Sequence, residues 1–298
     1  MAMLLQSDAP YFLGRPRRFG KSLFLSTLKA YFEGKRELFE GLEISELEKD
    51  WTEYPVIYLD FNRENYVDLN ALYVAMDTML NISEEKYGIT DIASTPSSRL
   101  SKLIRYTHET TGKKAVVLVD EYDKALVSTM DNPELNEQIR NEFKGFYGVL
   151  KAEDAHLRFV FLAGVTKFSK VSVFSDLNQL VDISLDKKYA GICGISETEL
   201  LQNFIPEIQA LAEENDLTYD AAFAEIKKRY DGYHFAKESE DIYNPFSVLN
   251  TFRARDFGNY WYETGTPTML VKRIKEEQLD PRDFEGNIAI TKSDIEDY

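Results

Sequence analysis

The sequence has few of the residues that build disulfide frameworks and metal cages. It contains one cysteine, Cys193, and three histidines, at positions 108, 156 and 234. A single cysteine excludes a disulfide framework within the chain and any multi-cysteine metal site, and it favours a reducing compartment. The three histidines are scattered, which argues against a histidine-based metal cage. We therefore expect a cytoplasmic protein.

Long apolar runs and a surplus of positive charge are also absent. No run approaches the ~20 apolar residues that a bilayer-spanning helix needs. The chain carries 35 Lys+Arg against 51 Asp+Glu, which gives a formal net charge of −16. This balance disfavours sequence-independent binding to nucleic acid, because such binding depends mainly on Lys and Arg contacts to phosphate. We predict no association with a membrane.

Core-forming residues are plentiful and regularly ordered. The 298 residues are 44% apolar and 13% aromatic, enough for one large domain or two ordinary ones. In the first half, segments with helical spacing alternate with apolar runs that predict strands, at 11–13, 56–61, 115–119, 159–163 and 180–185. This alternation predicts an α/β fold whose mostly parallel sheet is covered on both faces.

The pattern becomes helical after about Gly194. Ser196 and Glu199 form a capping box, the spacing from Leu200 to Leu211 predicts one helix, and the spacing from Ala222 to Tyr230 predicts the next. A further short helix is predicted over 267–276. We place a domain boundary near 194, between an α/β core over 1–193 and a smaller domain over 194–298, described as a helical lid or as winged-helix-like.

Gly20-Lys21-Ser22 follows a predicted strand and opens a predicted helix, which is the setting of a phosphate-binding P-loop (Walker A motif). In such a loop, backbone N–H groups receive phosphate oxygens, the lysine reaches the β- and γ-phosphates, and the hydroxyl binds Mg²⁺. The usual spacing is Gly-x4-Gly-Lys-Ser/Thr, but here Arg15 occupies the position of the first glycine. A helix start with a chance Gly-Lys-Ser is the alternative. We expect Lys21 to be a surface charge.

Arg15, Arg17 and Arg18 concentrate positive charge beside this motif in a chain that is otherwise acidic. They suit the stabilisation of phosphate or contact with an acidic neighbour. A solvated loop is the alternative.

Val116–Val119 lead into Asp120-Glu121, as a Walker B strand does. Asp120 would hold Mg²⁺ through water, across the sheet from Ser22, and Glu121 would polarise the attacking water. An Asp-Glu pair that merely ends a strand is the alternative. The joint occurrence of the two motifs, each at the end of its strand, favours nucleotide binding, and the strand at 56–61 between them fits the P-loop class with an added strand.

Thr166 lies just beyond the predicted strand at 159–163. A polar residue at this strand end would sense the γ-phosphate or contact the attacking water. A threonine that caps the next turn explains the position equally well.

Several motifs in combination resemble the bacterial AAA-ATPase-like family. In the first half they are Arg15-Pro16-Arg17-Arg18-Phe19-Gly20-Lys21-Ser22-Leu23, Ser26-Thr27-Leu28, Tyr31-Phe32-Glu33-Gly34, Val119-Asp120-Glu121-Tyr122-Asp123, Gly164-Val165-Thr166-Lys167-Phe168-Ser169 and Phe174-Ser175-Asp176-Leu177-Asn178. In the second half they are Tyr230-Asp231-Gly232-Tyr233, Tyr243-Asn244-Pro245-Phe246-Ser247 and Thr264-Gly265-Thr266-Pro267-Thr268. The arginine-bearing P-loop is normal in this family.

The resemblance implies a predicted ATP-binding protein of the AAA+ or signal-transduction-ATPase (STAND) type, with an ATPase core and a helical lid. ATP and Mg²⁺ are the implied cofactors. The nucleotide site that we predict comprises Arg15, Arg17, Arg18, Phe19, Gly20, Lys21, Ser22, Leu23 and Tyr233. Tyr233 is included because the lid loop at 230–233 would face the site, where its rings would cover a base or ribose. Packing within the helical domain is the alternative for this loop.

The sequence departs from the family pattern at both ends. The family normally carries an Asp-Lys-Thr element before the P-loop strand and continues into a C-terminal PD-(D/E)XK nuclease-like domain, whereas this sequence has ten residues before Tyr11 and ends at Tyr298. We therefore expect weak nucleotide binding and no nuclease activity. Nucleic acid is a partner only by family association, and a homo-oligomer or a protein partner is left open.

The expected function is Mg²⁺-dependent ATP binding with slow hydrolysis, in a module that changes shape with nucleotide state. A non-hydrolysing nucleotide-binding scaffold or interaction domain is the alternative. A P-loop kinase that acts on a small molecule is a third hypothesis, but no feature of the sequence resembles an acceptor site.

Overall fold

The computed structural model describes residues 4–6, 9–91, 93–165, 179–231, 233–236 and 239–260. Within these residues the chain divides into two compact units. The first unit comprises the described residues up to Arg15 and those from Lys21 to Ile183. The second unit comprises Pro16–Gly20 and the described residues from Ser184 onward. None of the described helices is long and apolar enough to cross a membrane.

The first unit is built on a parallel sheet that contains five strands in the described part of the chain. The strands are β1 (Tyr11–Gly14), β2 (Val56–Asp60), β3 (Ala115–Asp120), β4 (Leu157–Gly164) and β5 (Val181–Asp182). Their order across the sheet is β2-β3-β4-β1-β5, and each pairing is parallel. Every residue of β3 is buried, as expected for a strand covered on both faces. The prediction of an α/β fold with a parallel sheet is confirmed.

Helices connect these strands. They are α1 (Lys21–Phe32), α2 (Glu43–Leu47), α3 (Leu69–Tyr87), α4 (Pro96–Thr111), α5 (Lys124–Ser128) and α6 (Pro133–Ala152). The long helices begin and end at local signals in the sequence: for example, Asn132 caps α6 ahead of Pro133, and Gly88 ends α3 in the left-handed conformation. The helices predicted from apolar spacing in this half are confirmed.

The two faces of the sheet are covered by different helices. Val160 and Leu162 of β4 point into a core that also holds buried residues of α3, α4 and α6. The alternate residues Phe159 and Phe161 contact Phe32 and Phe24 of α1. Because successive side chains of a strand point to opposite faces, α1 covers one face and the other three helices cover the opposite one.

The second unit is mainly helical. Its elements from Ser184 onward are β6 (Ile195–Ser196), α7 (Glu197–Asn203), α8 (Ile205–Glu214), α9 (Tyr219–Tyr230), β7 (Ile242–Tyr243) and α10 (Pro245–Ala254). The strands β6 and β7 pair in antiparallel fashion. The helices pack around a core that includes Leu200, Ile208, Leu211, Ile226 and Val248.

The predicted single helix from Leu200 to Leu211 is wrong. The structure ends α7 at Asn203 and begins α8 at Ile205, with Pro206 in the first turn of α8. Proline has no N–H group and its ring clashes with the preceding turn, so it is tolerated at a helix start but not in a helix interior. The capping box of Ser196 and Glu199 is confirmed. The predicted helix over 267–276 lies outside the described residues, and the boundary near 194 stays a prediction.

Candidate functional site

The loop that joins β1 to α1 has the strand–loop–helix setting of the P-loop motif. Its first residue, Arg15, donates its backbone N–H to the carbonyl oxygen of Gly164 at 3.1 Å, which ties the loop to the end of β4. Two residues adopt left-handed backbone conformations, Arg18 with φ +70° and Gly20 with φ +93°. Glycine adopts this conformation freely, whereas at a residue with a Cβ it costs about 1–2 kcal/mol. The turn at Arg18 therefore needs support from its surroundings.

Lys21 is buried, with 4% of its surface exposed, so the expectation that it is a surface charge is wrong. Its Nζ donates to the carbonyl oxygen of Arg15 at 3.2 Å and forms an ion pair with Oε1 of Glu121 at 3.3 Å. A buried ammonium group loses its hydration, and it persists only where partners of this kind replace the lost water.

Asp120 ends β3 with a carboxylate that is only partly satisfied. The residue is 3% exposed, and its Oδ2 accepts a hydrogen bond from the hydroxyl of Tyr58 at 3.2 Å. Its buried Oδ1 has no hydrogen-bond partner among the described residues. Burial raises the pKa of Asp120, the neighbouring Ser22 hydroxyl lowers it, and the negative charges of Glu121 and Asp60 raise it further.

These oxygen groups fit a hard divalent cation. Mg²⁺ prefers carboxylate and hydroxyl oxygens together with water. The carboxylate of Asp120 interacts with the hydroxyl of Ser22 and has one unsatisfied oxygen, and a cation bound by these groups would relieve the repulsion among the carboxylates. Ser22 and Asp120, the two predicted metal ligands, are therefore brought together.

Glu121 lies in the left-handed region, with φ +49°. For a residue with a Cβ this conformation costs free energy, and such strain is found mainly at functional positions. The turn is fixed on both sides, because Tyr122 donates its N–H to the carbonyl of Ala163 and Lys124 donates to the carbonyl of Glu121. The carboxylate is thereby held at the ammonium group of Lys21.

Sequence reasoning missed two polar residues around this centre, Tyr58 and Asp60. Tyr58 donates to Asp120, and burial together with nearby carboxylates raises the pKa of its hydroxyl, so the group remains a donor. Asp60 lies in register with Asp120 on the neighbouring strand. Asp123, which is fully buried, accepts the backbone N–H of Val165 at 2.9 Å. A carboxylate at the end of the predicted strand at 56–61 was the available signal for Asp60.

Five of the other predicted nucleotide residues belong to the second unit: Arg17, Arg18, Phe19, Gly20 and Tyr233. The side chain of Phe19 is 1% exposed, and its ring lies 4.6 Å from that of Tyr233. The guanidinium of Arg18 lies 4.5 Å from the centre of the Phe246 ring. The predicted sensor Thr166 lies outside the described residues.

Exposure differs among Arg15, Arg17, Ser22 and Leu23. Arg15 is buried and donates to the carbonyl of Gly14 at 3.0 Å, and Arg17 is half-buried. Ser22 and Leu23 are exposed at the start of α1.

Comparison with known proteins places this site in a family context. The family model described as "Predicted AAA-ATPase" matches residues 1–174. A protein of Azotobacter chroococcum mcd 1, described as an uncharacterized protein in the vnfD 5′ region, is 41% identical over 276 residues, which cover 92% of this chain and 51% of that protein. The chain thus spans about half the length of the curated relative that it matches. Since the family model covers more than half of the sequence, the chain belongs to the family of predicted AAA-ATPases.

Proposed function

We propose that the chain is an Mg²⁺-dependent ATP-binding module that hydrolyses ATP slowly and changes conformation with nucleotide state. The observation that carries the proposal is the grouping of Lys21, Ser22, Asp120 and Glu121 beyond the carboxyl ends of β1 and β3. Ligands of open α/β sheets bind at this edge. Membership of a family of predicted AAA-ATPases also suggests nucleotide binding.

Each residue of the group has a distinct proposed role. The loop N–H groups and the start of α1 would receive phosphate oxygens, and Lys21 would contact the β- and γ-phosphates. Ser22 and Asp120 would hold Mg²⁺, which neutralises phosphate charge when it is bound. The arginines Arg15, Arg17 and Arg18 add positive potential to the loop.

Glu121 would accept a proton from the attacking water. The ion pair with Lys21 suggests how this role is controlled: a phosphate group would compete with the carboxylate for the ammonium group. Glu121 released from Lys21 would be available as a general base. Thr166 stays proposed as the sensor of the γ-phosphate.

The same ion pair also favours the alternative function of a non-hydrolysing nucleotide-binding scaffold. A carboxylate that stays paired with the ammonium group of Lys21 is not free to take a proton from an attacking water. In that case ATP would bind without turnover, and the nucleotide would only stabilise one conformation.

The wider assignment remains proposed on these grounds. The position of β4 between β1 and β3 supports the added-strand class of P-loop proteins. We retain the core over 1–193, the helical lid or winged-helix-like domain over 194–298 and a cytoplasmic location as proposals. A homo-oligomer or a protein partner is left open, and any link to nucleic acid rests on family association alone.

Calorimetric titration with ATP, with and without Mg²⁺, followed by a phosphate-release assay, tests the proposal. We expect ATP to bind more tightly with Mg²⁺, and Glu121→Gln to bind ATP while releasing phosphate at least ~100-fold more slowly, since it keeps the size of the side chain and removes the base. Glu137→Gln, at a carboxylate on the surface of α6 that pairs with Arg140, is the control. A parent chain that does not bind ATP contradicts the proposal. Binding without phosphate release favours the alternative function of a non-hydrolysing scaffold.

A further inference from the structure

The tip of the phosphate-binding loop packs into an aromatic cluster of the second unit. The ring of Phe19 packs edge to face against those of Tyr233 and Phe235, with centroid distances of 4.6 Å and 5.5 Å. Ala190 and Ile242 complete the buried cluster. Edge-to-face pairs of this kind contribute about 0.5–1.5 kcal/mol each beyond the burial of their surface.

Arg18 makes a cation–π contact with another aromatic ring of this unit. Its guanidinium stacks over the ring of Phe246 in the first turn of α10. Phe246 is itself held in place, because the side chain of Asn244 caps this helix by accepting the N–H of Ser247 at 3.0 Å. Arg18 is exposed, and such an exposed cation–π contact contributes about 0.5–1 kcal/mol.

The backbone around the tip has little freedom to rearrange. Phe19 lies between two left-handed residues, Arg18 and Gly20. A Cβ on Gly194 would lie 2.2 Å from Ile242 and 3.4 Å from Phe19, so the cluster leaves no room for a side chain at this position. The two ends of the loop, Arg15 and Lys21, belong to the first unit, whereas its tip belongs to the second.

We propose that Phe19 and Arg18 are positioning residues of the phosphate-binding loop, held by an aromatic clamp that consists of Tyr233, Phe235 and Phe246. The inference rests on the proposed nucleotide binding and extends it to the control of that site. Loop N–H groups bind phosphate oxygens only when the backbone is held in one conformation, and the strained turn at Arg18 does not hold itself. The clamp supplies this support, so the second unit sets the affinity of the loop for phosphate groups.

The proposal also predicts that phosphate binding affects the packing of the loop tip against the clamp. If packing of the tip favours phosphate binding, then phosphate binding must stabilise the packing of the tip by the same factor. Nucleotide should therefore slow amide exchange in α9, which ends shortly before Tyr233 and Phe235, and in α10, which contains Phe246.

The test compares substitutions that weaken the clamp with substitutions that only weaken the second unit. Phe19→Leu and Phe246→Leu keep most of the apolar volume but each removes an aromatic ring from the contact between the loop tip and the clamp. Phe246→Tyr keeps a ring face for Arg18. Phe252→Leu is the matched control, because Phe252 stacks on Phe204 in the core of the same unit, at 5.5 Å. Thermal unfolding of each variant reports how much stability it has lost.

We expect Mg-ATP and Mg-ADP titrations of the full chain to show about 10-fold weaker binding for Phe19→Leu and about 3-fold for Phe246→Leu, given the energies of ring contacts. Phe246→Tyr and Phe252→Leu should bind like the parent, and hydrogen exchange should show ATP protection of α9 and α10 in the parent but reduced protection in Phe19→Leu. Equal affinity in the clamp variants and the parent, or an equal loss in Phe252→Leu, overturns the inference alone. A parent that does not bind ATP overturns the proposed function together with it.

Discussion

At the scale of single residues, the site contains buried charged groups, and neighbouring polar groups offset part of the free-energy cost of their burial. Lys21 is buried between a carbonyl oxygen and the carboxylate of Glu121, and Asp120 is buried with one oxygen unsatisfied. Both arrangements are costly in a stable core and useful at a site for phosphate and a cation. A cation would therefore add a partner to the Asp120 oxygen that the described residues leave without a hydrogen bond.

Lys21→Ala should abolish ATP binding and also lower stability. The substitution removes the charge that would contact phosphate, and it leaves Glu121 and the Arg15 carbonyl without their buried partner, which costs about 1–3 kcal/mol. Calorimetry and urea unfolding measure the two effects. Lys29→Ala, at a half-buried lysine of the same helix, is the control. A folded Lys21→Ala variant with the ATP affinity of the parent would remove the P-loop assignment.

The raised pKa of Asp120 gives a second prediction at this scale. A carboxyl group whose pKa is higher in the folded than in the unfolded chain binds its proton more tightly when folded, so its contribution to stability falls as pH rises from about its usual value of 3.8 through the raised value. Asp120→Asn, which stays neutral, should be more stable than the parent at pH 7, and the difference should shrink as the pH falls toward 3.8. Urea unfolding across this range provides the measurement. An equal difference at every pH would show that ionisation of Asp120 does not destabilise the fold.

At the scale of elements, the end of β3 is packed directly against the end of β4. A Cβ on Gly164 would lie 2.5 Å from Cε1 of Tyr122 and 2.7 Å from Oδ1 of Asp123. The N–H of the next residue, Val165, is bound by the same Asp123 side chain. The turn that carries Glu121 is thus fixed by its neighbour in the sheet, and the catalytic role that we propose for Glu121 depends on this contact.

Gly164→Ala should therefore destabilise the chain by about 1–3 kcal/mol, the usual cost of forcing an extra methyl group into a packed core. Gly148→Ala is the matched control: it lies in α6 where an added Cβ meets nothing within 4 Å, and alanine in place of glycine in a helix adds about 0.5–1 kcal/mol of stability. Urea unfolding of the two variants should give shifts of opposite sign. A Gly164→Ala variant as stable as the parent would mean that Tyr122 can move aside.

The elements also show which features the sequence could predict. Strand and helix periodicity in the first half of the chain, the Asn132 cap and the capping box at Ser196 are local signals that appear in the structure. The periodicity from Leu200 to Leu211 did not reveal the break between α7 and α8. Lys21, Ser22, Asp120 and Glu121 could be grouped because each follows or ends a predicted strand. The burial of Lys21 and the contact of Tyr58 with Asp120 could not be predicted, because they depend on which strands are neighbours and in which register.

At the scale of the whole molecule, the feature that sequence reasoning missed is the division of one loop between two packing units. A resemblance to known ATPases assigned Phe19 and Tyr233 to the nucleotide, but their rings contact each other in the second unit. Contacts between residues more than 200 positions apart leave no periodic trace in the sequence. The contacts of Tyr233 with Phe19 and of Phe246 with Arg18 give a physical explanation for the aromatic residues in these two motifs.

This division leads to a prediction about stability in the presence of ligand. Because residues of the loop belong to both units, Mg-ATP bound to the loop should raise the unfolding temperature of both units. A ligand at 100 times its dissociation constant adds about 2.7 kcal/mol to the free energy of unfolding. Scanning calorimetry measures the shift, and removal of Mg²⁺ with a chelator should reduce it, since Ser22 and Asp120 would lose the ion that they are proposed to share with the phosphates. Lys21→Ala should show no shift with or without the ion. Stabilisation of the first unit alone would show that the loop does not transmit nucleotide binding to the second.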